Sequence, residues 1–169
     1  MQMKIAQMGR FTIRDVAISD TDYVFHMFSN PETVRYMGLR KLDNVMEALQ
    51  LVERYMRSRD ARWLAVCDGP KFLGLVGFEV KGHSATLTIA SNGVRQGFGR
   101  EFSVPFVKWV MSYPNIWRVW AICHVDNLPV QRVLKRMGAE REGRLRRFEM
   151  FPNLSREPQD VYMYSIVRS

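Results

Sequence analysis

The chain has 169 residues, of which 47% are hydrophobic, 12% aromatic and 25% charged. That profile fits one compact domain with a sizeable core and excludes a disordered segment. No apolar run approaches the ~18 residues a membrane span needs, and Met1-Gln2-Met3-Lys4-Ile5-Ala6 lacks a signal-peptide core, so no membrane association and a cytoplasmic address are expected. Lys and Arg number 25 against 17 Asp and Glu, a net charge of +8 that rises along the chain: +1 over residues 1–60, +3 over 61–131 and +4 over 132–169. Such a chain attracts polyanions: nucleic acid, an anionic membrane or a phosphorylated cofactor. Cys67 and Cys123 sit in apolar, strand-like runs without a partner at metal spacing. They predict two small buried hydrophobes, not a disulfide scaffold or a metal site.

No repeat, low-complexity tract or linker divides the sequence, so a single domain over 1–169 is expected. Residues 11–14 read as a strand. Asp20 precedes an apolar-periodic stretch with Tyr23, Val24 and Met27, predicting a helix with an acidic cap. Asn30-Pro31-Glu32 breaks it and starts a short helix through Val34 and Tyr36. A longer amphipathic helix spans 43–57, with Val45, Leu49, Val52 and Met56 on one face. Strands at 63–67, 72–80 and 85–90, joined at Asp68-Gly69-Pro70 and Lys81-Gly82-His83, make an antiparallel meander. After a Gly-rich loop, Phe102, Phe106, Trp109 and Val110 give helical spacing up to Tyr113-Pro114-Asn115, with Pro105 kinking or loosening the first turns. A strand at 118–125, a helix at 128–137 closed by Gly138, and strands at 144–151 and 161–167 complete an α+β (mixed α/β) layer fold.

Two segments carry chemistry. Val94-Arg95-Gln96-Gly97-Phe98-Gly99-Arg100 lies between a strand and a helix. Glycines there permit close backbone approach, and amides at a helix start attract anions, so the loop suits a pyrophosphate, or else is an ordinary strand-to-helix turn. It is neither a P-loop nor a dinucleotide fingerprint: no Gly-Lys-Ser/Thr ending is present, and a meander precedes it. The second segment is His124-Val125-Asp126-Asn127-Leu128-Pro129, where a strand ends and a helix starts with Asp126 or Asn127 as cap. Val130, Val133, Leu134 and Met137 form the apolar stripe of that helix.

Taken together, the sequence resembles the GNAT acyl-CoA-dependent N-acetyltransferases, specifically the Rim-type branch that acetylates ribosomal-protein N-termini. The resemblance rests on Thr12-Ile13-Arg14, Asn30-Pro31-Glu32, Tyr36-Met37, Gln96-Gly97-Phe98-Gly99-Arg100-Glu101, Asn127, residues 133–139, Glu142-Gly143, Asp160-Val161-Tyr162 and Tyr164-Ser165, in the family's order over nearly the whole chain. It implies a mostly antiparallel sheet, flanked by helices and splayed between the strands at 85–90 and 118–125. It implies acetyl-CoA as cosubstrate, its pantetheine arm against backbone at Leu87, Thr88 and Ile89. Its pyrophosphate would lie on Arg95, Gln96, Gly97, Phe98 and Gly99. Arg100, Arg132 and Lys135 are candidates for the 3′-phosphate, and Asn127 is the polar contact near the thiol.

Some positions depart from the family pattern. Val94 stands where Gln or Arg is usual, Arg95 where glycine is usual, Val130 in place of a small residue, and Leu134 where other branches place a tyrosine acid. Placement of the thioester beside a neutral amine then carries catalysis, helped by a thiol leaving group of pKa about 8.5.

An ammonium acceptor must lose a proton, and Glu79, His83, His124, Asp126 and Glu149 are the groups to weigh. His124, at the strand end beside the cleft, ranks first, with a packed or capping histidine as its structural alternative. Asp126 reads as a cap, His83 as a turn residue, His26 as a helix-surface residue, and Tyr162 and Tyr164 as core or cleft-wall aromatics. His124, Asn127 and Glu79 are the catalytic candidates. Arg136, Arg141, Arg144, Arg146 and Arg147 form either a solvated face or an anion-binding strip. The expected activity is direct acetyl transfer from acetyl-CoA to a primary amine, a protein N-terminus or a small amine. A homodimer is left open, and nucleic acid is expected only through proximity to the ribosome. The alternatives are a noncatalytic acyl-CoA sensor and a basic RNA-binding module. The latter lacks clustered exposed aromatics and any recognisable RNA motif.

Overall fold

The structure, a computed structural model, describes residues 4–91 and 101–169. Its eight strands are β1 (Lys4–Met8), β2 (Phe11–Asp15), β3 (Ala61–Asp68), β4 (Lys71–Lys81), β5 (Ser84–Ser91), β6 (Arg118–His124), β7 (Glu140–Glu149) and β8 (Gln159–Val167). The helices are α1 (Thr21–Phe28), α2 (Pro31–Val34), α3 (Val45–Arg57), α4 (Ser103–Met111) and α5 (Leu128–Arg136). The strands form one sheet in the order β1-β2-β3-β4-β5-β6-β8-β7. Every neighbouring pair is antiparallel except β5 and β6, which are parallel and joined through α4. The mixed, mostly antiparallel sheet agrees with the sequence expectation. β1 is an addition: at five residues its run is too short to show a clear alternation.

The alternation of side chains divides the core into two layers. On one face, Phe11, Ile13, Val76, Phe78, Leu87, Val119, Ala121, Cys123 and Tyr164 pack with Phe102, Phe106 and Val110 around α4 and with Leu134 and Met137 around α5. On the other, Ala65, Cys67, Leu75 and Ala90 pack against Val24, Met27 and Phe28 of α1, Val34 of α2 and Ala48, Leu51 and Val52 of α3. Both cysteines are buried and unbridged.

Two local expectations need correction, and a third is met. The buried face of α3 is Ala48, Leu51 and Val52, while Val45 and Met56 are 45% and 50% exposed. The small Ala48 side chain lets α3 approach α1 closely, and the stripe rotates by about one residue, near 100°. The helix starts at Val45 because Asn44 Oδ1 accepts the Glu47 amide while Glu47 Oε2 accepts the Asp43 amide, a reciprocal cap. Asp20 stands at the cap position of α1 but makes no cap bond. Its carboxylate instead takes the Arg14 guanidinium and the Ala17 amide. The loosened start expected from Pro105 is present as a wide, π-type turn over Glu101 and Phe102.

Candidate active site

β5 and β6 pair only at Ser84–Thr86 with Arg118–Trp120. Beyond Thr86 and Trp120 both strands continue, β5 to Ser91 held by β4 and β6 to His124 held by β8. The sheet therefore opens into a slot, with a backbone edge of β5 on one side and one of β6 on the other. An extended ligand with amide groups can bond such an edge.

Strand alternation sets what lines each mouth of the slot. Leu87 and Ile89 turn toward the α4–α5 face with Cys123. Thr88, Trp120, Ile122 and His124 turn toward the α1–α3 face. Thr88 is exposed there, opposite Gly77, whose missing Cβ leaves room for the Trp63 ring. Burial pushes the Cys123 thiol up to about 11, so it stays protonated and unsuited to carry an acyl group.

His124 ends β6 and is 3% exposed. Its ring stacks on Tyr36 at 4.8 Å and meets Phe151 edge-on at 5.2 Å. Nδ1 accepts the Asp126 amide at 3.1 Å, and the Asp126 carboxylate lies 3.8 Å away. In the neutral ring this fixes the proton on Nε2. Among the described residues no buried side-chain nitrogen or oxygen lacks a hydrogen-bond partner. Nε2 has no protein partner, so it reaches the surface. His124 is thus packed, as its structural alternative held, yet open at one nitrogen.

Asn127 caps α5, its Oδ1 accepting the Val130 amide at 3.4 Å. The turn that carries it is held from behind: Gln131, nine-tenths buried, donates to the Val125 carbonyl at 2.7 Å and accepts from the Tyr164 hydroxyl at 3.4 Å. Burial raises the Tyr164 pKa, so this phenol keeps its proton within that bond. Leu134, where some branches of the resembling family place an acid, is a core residue. The structure therefore brings His124 and Asn127 together.

Glu79 stands apart from them. It pairs with Thr86 across β4–β5, one strand from Trp120, and its carboxylate binds Lys81 at 2.8 Å. The four-residue offset from Trp120 to His124 corresponds to about 13 Å of strand. Arg132 is exposed on α5. Arg95, Gln96, Gly97, Phe98, Gly99 and Arg100 lie outside the described residues. His26 and His83 are exposed as expected. The arginine strip is largely tied to neighbours: Arg144 and the Arg147 amide hold Asp160, Arg147 faces Glu157, and Arg141 lies over Tyr162.

Sequence reasoning missed the wall on the α1–α3 side. Asn153, in the β7–β8 connection, donates to the Val34 and Leu39 carbonyls at 2.9 and 2.6 Å and accepts the Lys41 amide at 2.8 Å. These bonds lock the 34–41 segment, and with it Tyr36, against Phe151 and His124. The Asn30 and Tyr36 motif was visible; its partner more than a hundred residues away was not.

Residues 10–140 match the model of the acetyltransferase (GNAT) domain. An uncharacterized N-acetyltransferase of Bacillus subtilis, YoaA, is 29% identical over 97% of both chains. Among solved structures, RimL, a ribosomal alpha-N-protein acetyltransferase, superposes with a TM-score of 0.85 at 16% identity, covering 99% of this chain and 96% of that one. Spermidine N-acetyltransferase from Vibrio cholerae, solved with CoA and spermine, gives 0.79 at 20% identity over 94% and 95%. At these identities the structural likeness speaks to the fold, in agreement with the slot and the strand order above. The chain belongs to the GNAT acetyltransferase family.

Proposed function

We propose that this acetyltransferase moves the acetyl group of acetyl-CoA, the cosubstrate of its family, directly to a primary amine, a protein N-terminus or a small amine, within the slot between β5 and β6. The observation that carries the reading is the short parallel ladder, which stops at Thr86 and Trp120 while both strands run on.

The slot suits the donor. The open β5 edge at Leu87, Thr88 and Ile89 offers amides and carbonyls at strand spacing to a pantetheine arm. In this reading the loop residues Arg95, Gln96, Gly97, Phe98, Gly99 and Arg100 take the pyrophosphate. The Asn127 amide contacts the arm near the thiol, and Arg132 serves the 3′-phosphate. Acetyl-CoA supplies an activated thioester: a C–N bond forms to the amine as the C–S bond breaks, one proton leaves the nitrogen, and the thiolate of CoA takes up a proton. The amine enters neutral and gives its proton to the departing thiolate of CoA, while His124 Nε2, which carries the ring proton in that tautomer and has no partner among the described residues, donates to the thioester carbonyl oxygen. The Asp126 amide holds the tautomer, and Tyr36 with Phe151 holds the ring plane. Glu79, bound to Lys81 at the closed end of the slot, takes no part in this path. Direct transfer is favoured over an acyl-enzyme because burial keeps the Cys123 thiol protonated.

Calorimetric titration with acetyl-CoA tests the donor half, with Gly97→Glu as the control that removes binding. Release of CoA thiol across a panel of amines tests the transfer. His124→Asn keeps an acceptor for the Asp126 amide but removes the Nε2–H donor, and the expected result is a kcat lower by roughly 10²-fold with acetyl-CoA affinity retained. No binding at millimolar acetyl-CoA overturns the whole reading. Full turnover in His124→Asn overturns the donor assignment alone.

A further inference from the structure

Resting on the preceding reading, we propose that the acceptor carries a carboxylate close to its reacting amine and that Arg35 reads it. Arg35 follows α2 at the α1–α3 mouth of the slot and is exposed. Its guanidinium lies 5.4 Å over the ring of Tyr36, and that same ring stacks on His124 at 4.8 Å. One aromatic side chain thus carries both His124 and a cation. The exposed guanidinium keeps N–H groups open to a planar anion.

Two further observations make this a built feature. Arg35 has no acidic partner among the described residues, a state it shares with exposed arginines such as Arg59 and Arg132, and what sets it apart is its place over the ring that stacks on His124. The backbone that presents it is also fixed on both sides. Asn30 caps α2 through the Glu32 amide, and Asn153 holds Val34 before it and Leu39 after it. A cation held without a counterion beside the reaction centre is preorganised for an anion brought by a ligand. Asp126, the acid nearest the imidazole, touches its Nδ1 edge, whereas Tyr36 and Arg35 approach its face. An acceptor entering on the Tyr36 side meets the Arg35 guanidinium, with the Glu149 carboxylate near Gly38 in the same segment, and the +8 excess of the whole chain favours an anion.

The test uses the intact protein, acetyl-CoA and two matched acceptor pairs: free-amine tetrapeptides with glutamate or glutamine at the second position, and β-alanine against β-alaninamide. The expected result is a roughly tenfold higher kcat/KM for the acid of at least one pair, carried by KM and shrinking as salt rises. Arg35→Gln removes that ratio while leaving turnover of the matching amide acceptor within about twofold, and Arg35→Lys restores part of it. A merely structural role for Arg35 lowers acid and amide substrates together, leaves the ratio standing and overturns the proposal. Equal use of acid and amide by the wild type also overturns it, with the acetyltransfer reading intact. No CoA release with any acceptor of the wider amine panel, carboxylated or not, removes both.

Discussion

Replacing Asp20 tests how the α1–α3 layer is anchored over the slot. Arg14 on β2 gives Asp20 two bonds, at 2.8 and 2.7 Å, and the Ala17 amide gives it a third at 2.9 Å. The two side chains are 16% and 2% exposed, and the carboxylate hydrogen bond raises the Arg14 pKa. Asp20→Ala strips the guanidinium of its counterion while leaving it largely out of water. Breaking a buried pair this way costs about 3–5 kcal/mol, and the residual water at Arg14 favours the low end, near 3. With a urea m-value of about 2 kcal/mol per molar, the unfolding midpoint falls by roughly 1.5 M. That is a large share of a total of about 5–15 kcal/mol. Arg14→Met combined with Asp20→Leu removes both charges and leaves the Ala17 amide and the exposed Asp15 carbonyl short of a partner, a loss of about 1 kcal/mol. Equilibrium urea denaturation of the three variants decides the matter. A single-variant loss below about 1 kcal/mol, or a double variant as weak as the single, refutes the argument that a stranded charge dominates.

Gly74→Ala sets a Cβ 2.2 Å from the Ala90 carbonyl oxygen and 2.9 Å from the Ser91 Cα, both backbone atoms of β5. It is expected to cost up to about 3 kcal/mol in thermal or urea unfolding and, by moving the strand end that leads into residues 94–99, to weaken acetyl-CoA binding; unchanged unfolding and affinity refute it. Glu142 is held down to about 2, from an ordinary 4.5, by hydrogen bonds from Arg118 and Ser165. A carboxylate depressed in the folded state contributes stability above its unfolded pKa and loses it as pH falls through the folded value. Wild-type stability therefore drops between about pH 4.5 and 2, and Glu142→Gln flattens that part of the urea-midpoint curve; an identical slope in the variant refutes the assignment.

Local physics made most of the fold legible. The turns at Asp68-Gly69-Pro70 and Lys81-Gly82-His83 set the β3–β5 meander, with Gly69 and Gly82 at φ +56° and +62°. Asn127, Pro129 and Gly138 mark the ends of α5. What stayed hidden depends on partners far along the chain. The face of α3 was misread because Val45 and Met56 are as apolar as Leu51 and Val52, and only contact with α1 chooses between the stripes. Asp20 looked like a helix cap because nothing local shows that Arg14 crosses to meet it. His124 was visible as a strand-end histidine. Its orientation depends on Tyr36, Phe151 and Asn153, whose convergence is a property of the closed sheet.

The same geometry explains why this site needs few catalytic side chains. Where β5 and β6 part, the sheet itself separates two surroundings. The α4–α5 mouth is apolar, lined by Leu87, Ile89 and Cys123, whereas the opposite mouth carries Thr88, His124 and, through Tyr36, Arg35. A thioester and an amine arriving from opposite mouths meet only in the slot, so orientation is imposed by strand positions rather than by a clamp of side chains. Orientation of two reactants is by itself worth about 7–11 kcal/mol of barrier. A thiol leaving group asks little of an acid. A core Leu134 and a Tyr164 committed to Gln131 are then compatible with turnover of an amine that arrives neutral and gives its proton to the departing thiolate. In the proposed path the open nitrogen at the end of β6, an N–H in the neutral tautomer, then serves the thioester carbonyl oxygen as a donor.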